Sequence, residues 1–269
     1  MSRSNPTDST PNPSSRWHEW DGENGQVRYF DKEAKSLKDP NKKGANIIRK
    51  LPFTFILLDE TSTIKGWHEP SESGIYSNEV RDTRADVMVV KSFKGGLLAE
   101  GLYSQIRDRT AAVGGYFTTN LYIGYKENAG QLQIGALQFK GASLNNWVDF
   151  KKANRAAIYQ KAVTITGSTE HTKGKIHYKK PVFKITDISD KTDAEAKALD
   201  MLLQQYLKGY FSRTKSDQVA KPAAPHEAQQ DGPPDDQLPE PKPTCPNCDG
   251  PLNEAGECTA CGIGNGEPF

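Results

Sequence analysis

Runs of branched and aromatic side chains dominate the hydrophobic pattern between residues 45 and 213. Residues 51–58 (LPFTFILL) and 86–93 (DVMVVKSF) have the composition of buried strands. Similar patterns predict four more strands, at residues 116–126, 131–140, 161–166 and 176–188. The pattern therefore predicts a mainly β domain over residues 45–213.

Helical spacing of apolar residues occurs in three places. Residues 103–113 precede paired glycines, which favour the end of a helix, and residues 143–154 predict a second helix. In the third, Thr192 and Glu195 have the spacing of a capping box before an apolar stripe. A stripe with this spacing lies on one face of a helix, so we expect it to dock on the sheet through Leu199, Leu202, Leu203, Tyr206 and Tyr210.

The two ends of the chain have different compositions. Residues 1–44 are rich in Ser, Pro, Asn and charged residues, which predicts a mostly flexible N-terminal arm. Residues 214–243 contain seven prolines among Ala, Gln and acidic residues. Such a segment buries too little apolar surface to offset the entropy of ordering it, so it is predicted to be a Pro-rich acidic linker.

The four cysteines form a C-x2-C, nine-residue, C-x2-C pattern at residues 245–261. Tetrahedral zinc takes four thiolates, and each C-x2-C turn presents two of them. The spacing resembles zinc ribbons and predicts a C-terminal ribbon over residues 244–269 with one structural Zn(II). The ligands would be Cys245, Cys248, Cys258 and Cys261.

Two disulfides are the alternative use of these cysteines. The N-terminal residues lack the apolar core of a secretory signal, and no apolar run is long enough to cross a bilayer. We therefore expect a cytoplasmic protein, in which zinc is favoured over disulfides. Paired buried carboxylates, an activated nucleophile and a phosphate-binding glycine loop are not evident in the sequence, which predicts a protein that is not an enzyme.

Charge is distributed unevenly although the net charge is only +1. Residues 217–269 hold ten acidic and two basic residues, a net −8, which leaves +9 on residues 1–216. A basic body with an acidic C-terminal tail suggests a surface that binds polyanions. Simple solubility is the other explanation of the tail.

Aromatic and basic residues are interleaved along the predicted strands. Single-stranded nucleic acid is bound by this combination, because bases stack on the rings and cations contact the phosphates. If Leu121 and Ile123 face the core, alternation turns Tyr122 outward. The predicted nucleic-acid contacts are Trp67, Lys91, Phe93, Lys94, Arg107, Arg109, Tyr122, Lys126, Phe139 and Lys140.

The order of these features resembles single-stranded DNA-binding proteins of bacterial and phage type. A strand-rich domain with an inserted helix is followed by a Pro-rich acidic tail that ends in GEPF. Residues 89–96 (VVKSFKGG), 101–104 (GLYS) and 141–147 (GASLNNW) are similar to phage replication sequences.

The resemblance implies an OB-fold, a partly open barrel, as the body. It also implies that the tip formed by Glu267, Pro268 and Phe269 recruits replication or recombination proteins. Asn265 and Gly266 depart from the acidic run that precedes this tip in the family.

The leading hypothesis is therefore a non-catalytic single-stranded DNA-binding protein of phage DNA replication or recombination. A zinc-ribbon transcription regulator that binds duplex DNA or RNA polymerase is a second hypothesis. A non-enzymatic virion or scaffold protein is a third.

The cysteine pattern generates a direct test. Purified protein should contain one zinc per chain, and Cys245→Ser or Cys258→Ser should release it, because each removes one ligand from a closed site. Metal analysis by mass spectrometry, with thiol titration as the control, measures this. Zinc-free protein with four free thiols, prepared without chelator, would contradict the assignment.

Overall fold

The computed structural model describes residues 11–35, 43–127 and 130–213. The predicted linker at 214–243 and the predicted ribbon at 244–269 lie outside these residues. The strands are β1 (Trp17–Asp21), β2 (Gln26–Lys35), β3 (Lys43–Arg49), β4 (Phe53–His68), β5 (Ser73–Ser77), β6 (Met88–Ser92), β7 (Gly96–Gly101), β8 (Gly115–Lys126), β9 (Leu132–Lys140), β10 (Ala162–Lys173) and β11 (Ile176–Thr186). The helices are α1 (Tyr103–Ala112), α2 (Gly141–Ala153) and α3 (Asp190–Phe211), with a 3₁₀ turn at Glu69–Ser71.

The strands form one mixed sheet, which confirms the prediction of a mainly β protein. Its order is β3-β2-β1-β9-β8-β4-β5-β6-β7, with β10 also paired to β4 and β11 to β10. The pair β1–β9 is parallel and the other strand pairs are antiparallel.

Strand β4 has 16 residues, so different parts of its length pair with different strands. Along one edge it pairs with β8 over most of its length. Its start pairs with β10 and its end pairs with β5. Because a strand has only two edges, β10 and β5 both lie on the edge that faces away from β8.

The main core is aromatic and is shared by strands that are far apart in the order of the sheet. Trp20 of β1 packs in the same cluster as Phe55, Phe139 and Trp147, with Phe183 of β11 against it. Two hydrogen bonds connect β1 and the turn after it to β11: Trp20 Nε1 donates to the Lys179 carbonyl at 2.9 Å, and Lys179 N donates to the Gly22 carbonyl at 2.6 Å. The sheet therefore curls around this core.

Helix α3 docks on the opposite face of the sheet, as its apolar stripe predicts. Leu203, Tyr206 and Leu207 pack with Tyr122 and Ile134. Two details of the prediction are wrong. The helix begins at Asp190 with Ser189 as its cap, and Leu202 is 57% exposed.

The prediction of a flexible arm over residues 1–44 is wrong for β1 and β2. His18 and Trp20 alternate with polar residues on β1, as do Val27 and Tyr29 on β2, and all four side chains are buried. This two-residue period drives strand formation even though most neighbouring residues are polar. Among the helices of the described ranges, none has both the length and the apolar character of a bilayer span.

His18 is a buried histidine that burial and a neighbouring arginine keep neutral. Arg49 Nε lies 3.3 Å from His18 Nε2, and the Ala136 carbonyl lies 3.1 Å from Nδ1. An arginine can only donate, so Nε2 accepts and Nδ1 carries the proton. Burial, with the charge of Arg49, lowers the pKa of His18 to about 3.

This pKa predicts acid sensitivity. The unfolded chain binds the His18 proton near pH 6.5 and the folded chain only near pH 3, so the free energy of unfolding should fall as the pH drops from 6.5. The expected slope is about 1.4 kcal/mol per pH unit. Denaturant titrations between pH 7 and pH 5 would show a flatter profile for His18→Gln. The control His171→Gln, on the β10–β11 hairpin, should keep the wild-type slope, and equal slopes in all three proteins would contradict the assignment.

Candidate nucleic-acid interface

Part of the sheet face that carries α3 extends past that helix along β4 to β7. Gly66 pairs with Ile75, which faces the apolar core formed with Ile64 and Met88. The next residues along each strand, Trp67 and Tyr76, therefore lie on the other side of the sheet. We call this surface the outer face; its side chains are Lys65, Trp67, Tyr76, Lys91, Phe93 and Leu97.

Aromatic, basic and apolar side chains form a row across the outer face. Tyr76 pairs with Lys91, and Lys91 pairs with Leu97 on the edge strand. Phe93 stacks on Tyr76 with ring centroids 4.5 Å apart. Phe93 is 43% exposed and Leu97 is 55% exposed, so the row is open to a partner.

The turn that carries Phe93 and Lys94 is held by three consecutive backbone amides. Phe93 N donates to the Gly74 carbonyl, Lys94 N to Ser73 Oγ and Gly95 N to Ser92 Oγ, at 2.7–3.1 Å. Gly96 closes the turn with φ of +74°, a conformation that favours glycine. The ring and the ammonium group are thus presented by an anchored turn.

The structure brings together four of the predicted contacts: Trp67, Lys91, Phe93 and Lys94. Sequence reasoning missed Tyr76, which belongs to the same surface. The strand pattern of residues 73–77 is short, and the role of Tyr76 depends on its stacking with Phe93, which is 17 positions away along the chain. Lys140 lies on the same side of the sheet, on β9, where it pairs with Thr118.

Two predicted contacts are wrong because the structure buries them. Tyr122 and Phe139 are 0% and 1% exposed. The alternation argument assumed one solvated face of β8, but the core covers one face and α3 covers the other. Phe139 lies inside the aromatic core against Trp147 and Phe183.

Three predicted cations lie away from the outer face. Arg107 and Arg109 are exposed on α1, whose Ile106 packs in the core on the opposite side of the sheet from Phe93. Lys126 ends β8, ten residues from Tyr116, which is about 30 Å along a strand. These residues do not form one site with Phe93.

Tyr122 instead belongs to a buried polar cluster around Glu79. The Glu79 carboxylate accepts from Tyr122 OH at 3.0 Å, Thr61 Oγ1 at 2.6 Å and Asn120 Nδ2 at 3.3 Å. Burial raises the pKa of Glu79, and burial beside this carboxylate raises the pKa of Tyr122. The Glu79 amide donates to Tyr210 OH at 2.8 Å, which ties α3 to the sheet.

The basic hairpin β10–β11 is a second exposed surface. His171 stacks on Tyr178 at 5.6 Å, and Lys180 lies 5.9 Å from the centre of the Tyr178 ring. His171 and His177 belong to successive cross-strand pairs and so point to opposite faces of the hairpin. Within the described ranges, no three His, Cys, Asp or Glu side chains converge as metal ligands.

The predicted zinc ligands and the predicted C-terminal tip lie outside the described residues. Comparisons of the chain with protein-family models, with curated proteins and with solved structures give no match.

The buried position of Tyr122 predicts an effect on stability. Tyr122→Phe removes a donor from the buried Glu79 carboxylate and should lower the free energy of unfolding by about 1–3 kcal/mol. Urea titration measures this. The control Tyr159→Phe, at a side chain that is 59% exposed, should leave stability unchanged. If the two substitutions had equal effects, the Glu79 cluster would not contribute as described.

Proposed function

We propose that this protein is a non-catalytic single-stranded DNA-binding protein and that the bound strand lies along the outer face. One observation supports this most directly. Trp67, Tyr76 and Phe93 share one sheet face with Lys91, and Lys94 follows Phe93 in the turn. Phe93 presents a ring that is 43% exposed on an anchored turn.

Stacking and charge give this surface its chemistry. A base that stacks on an aromatic side chain gains about 1–3 kcal/mol, with little dependence on which base it is. The ammonium groups of Lys91 and Lys94 can neutralise nearby phosphates. The aromatic rings lie on strands and on an anchored turn, not on a helix that could enter a duplex groove, so unstacked bases fit this surface better than paired ones.

The other parts of the proposal follow the resemblance to bacterial and phage single-stranded DNA-binding proteins and, for zinc, the cysteine spacing. The curled sheet around one aromatic core is compatible with an OB-like barrel. A role in phage replication or recombination, a structural zinc at Cys245, Cys248, Cys258 and Cys261, and a partner-binding tip at residues 267–269 complete it.

Two other functions make different predictions. A regulator that binds duplex DNA would use a basic helix; α1, with exposed Arg107 and Arg109, is the candidate for that role among the described residues. A virion or scaffold protein would use exposed apolar side chains such as Leu97 for self-association. Substitutions on the outer face distinguish single-stranded DNA binding from both of these alternatives.

The test is titration of labelled oligothymidylate and of a duplex of equal length, followed by fluorescence anisotropy. Phe93→Ala and Tyr76→Ala should each weaken single-strand binding by about 1–3 kcal/mol. Tyr159→Ala, which removes an exposed aromatic ring elsewhere, is the control. Equal affinity for single strand and duplex, or unchanged binding by both outer-face variants, would overturn the proposal.

A further inference from the structure

A small cavity lies beside the outer face, where β1, β4, β8 and β9 meet. Its volume is about 60 Å³, enough for several water molecules. Lys65, on the same side of β4 as Trp67, reaches into it. The other residues that line it are Glu19, Trp20, Gly66, Thr118, Gln138 and Lys140.

Lys65 is positioned without a carboxylate partner. Its Nζ donates to Gln138 Oε1 at 3.1 Å and lies 5.0 Å from the centre of the Trp17 ring. No carboxylate in the described part of the chain lies within 4 Å of this ammonium group. Burial lowers the pKa of Lys65 to about 8, although the charges of Glu79 and Glu19 oppose the shift.

Gln138 and Lys140 supply two more donor groups to the cavity. Gln138 Nε2 is buried and makes no hydrogen bond. Lys140 also has no carboxylate within 4 Å in the described ranges. Glu19 is the one acid in the lining, and Arg28 Nε donates to it at 2.7 Å, which offsets its charge.

A cavity with two ammonium groups and an unused amide donor matches an anion. Buried donors without partners lose free energy, and a ligand with several acceptor oxygens restores it. A tetrahedral phosphate group has enough acceptor oxygens for all three donors. Asn120 Oδ1, on the residue facing Gln138, is also buried without a partner, so a bridging water is the competing occupant.

We propose that this cavity is a phosphate subsite that accepts one phosphodiester of the strand bound along the outer face. The nucleic-acid source of the phosphate rests on the proposed function. Lys65 and Trp67 are two positions apart on β4, about 7 Å, so a phosphate at Lys65 and a base at Trp67 belong to neighbouring parts of one strand.

An abasic oligonucleotide separates this subsite from base stacking. Its affinity, and that of oligothymidylate of equal length, would be measured by anisotropy at several salt concentrations. Lys65→Met should weaken both ligands about tenfold, and the slope of log affinity against log salt should fall by about 0.7, because one phosphate contact is lost. Phe93→Ala should weaken only oligothymidylate.

Two further lysine variants accompany Lys65→Met in this experiment. Lys140→Met tests the same cavity at a less enclosed side chain, in case Lys65→Met does not fold. Lys152→Met, which removes an exposed charge on α2, should behave as wild type. Wild-type affinity of Lys65→Met and Lys140→Met for the abasic oligomer would overturn the subsite even if Phe93→Ala confirmed the outer face.

The charge of Lys65 adds a pH readout. The charged groups that act on it are Glu79, Glu19 and Lys140, and Glu19 is itself paired with Arg28. Affinity for the abasic oligomer should fall between pH 7 and pH 9.5 in the wild type as Lys65 loses its proton, and this decrease should disappear in Lys65→Met. An identical decrease in both proteins would contradict the role of Lys65.

If no oligonucleotide binds, the proposed function fails, and inorganic phosphate tests the cavity alone. A saturable shift of the Gln138 side-chain amide signals in NMR spectra, lost in Lys65→Met, would support a site for free phosphate. The absence of a saturable shift would overturn the subsite and identify water as the occupant.

Discussion

The extra residue in β4 decides which side chains lie on the outer face. Pairing with β8 shifts between Leu57 and Asp59, which is a β-bulge at Leu58. Before the bulge, odd-numbered residues such as Leu57 face the core. After the bulge the alternation is reversed, and even-numbered residues such as Ile64 face the core. Without the bulge, strand alternation would turn Lys65 and Trp67 into the core. The proposed cation and base contacts depend on this local irregularity.

Helix α3 divides the same face of the sheet into a covered part and an open part. In the covered part, the tyrosines of α3 pack over Tyr122, and the Glu79 cluster satisfies the polar groups enclosed there. In the open part, the aromatic side chains have neighbours on the sheet, and no helix of the described ranges packs over them. Similar residue types therefore have opposite roles: Tyr122 stabilises the fold, whereas Phe93 is available to a ligand.

The sequence predicted much of the fold because branched and aromatic runs identify central strands. Strands β6, β8 and β9 and all three helices lie close to their predicted positions. Strands β1 and β2 were missed because their apolar residues alternate with charged ones, which resembles a polar arm. Tyr122 was assigned to the surface because the alternation of residues within one strand does not show whether both faces of that strand are covered. Leu202 was placed in the helix interface for a related reason, since spacing does not define how wide the buried stripe is.

The parallel pairing of β1 with β9 joins parts of the chain that are far apart in sequence. His18 bonds to the carbonyl of Ala136, 118 positions later. During synthesis at roughly 5–20 residues per second, β1 emerges on the order of ten seconds before its partner. Until then, Trp20 and His18 have no core to enter, and the β1–β2 hairpin alone is marginally stable. The N-terminal hairpin thus joins the sheet late, and a chaperone that shields apolar strands has its longest opportunity to bind there.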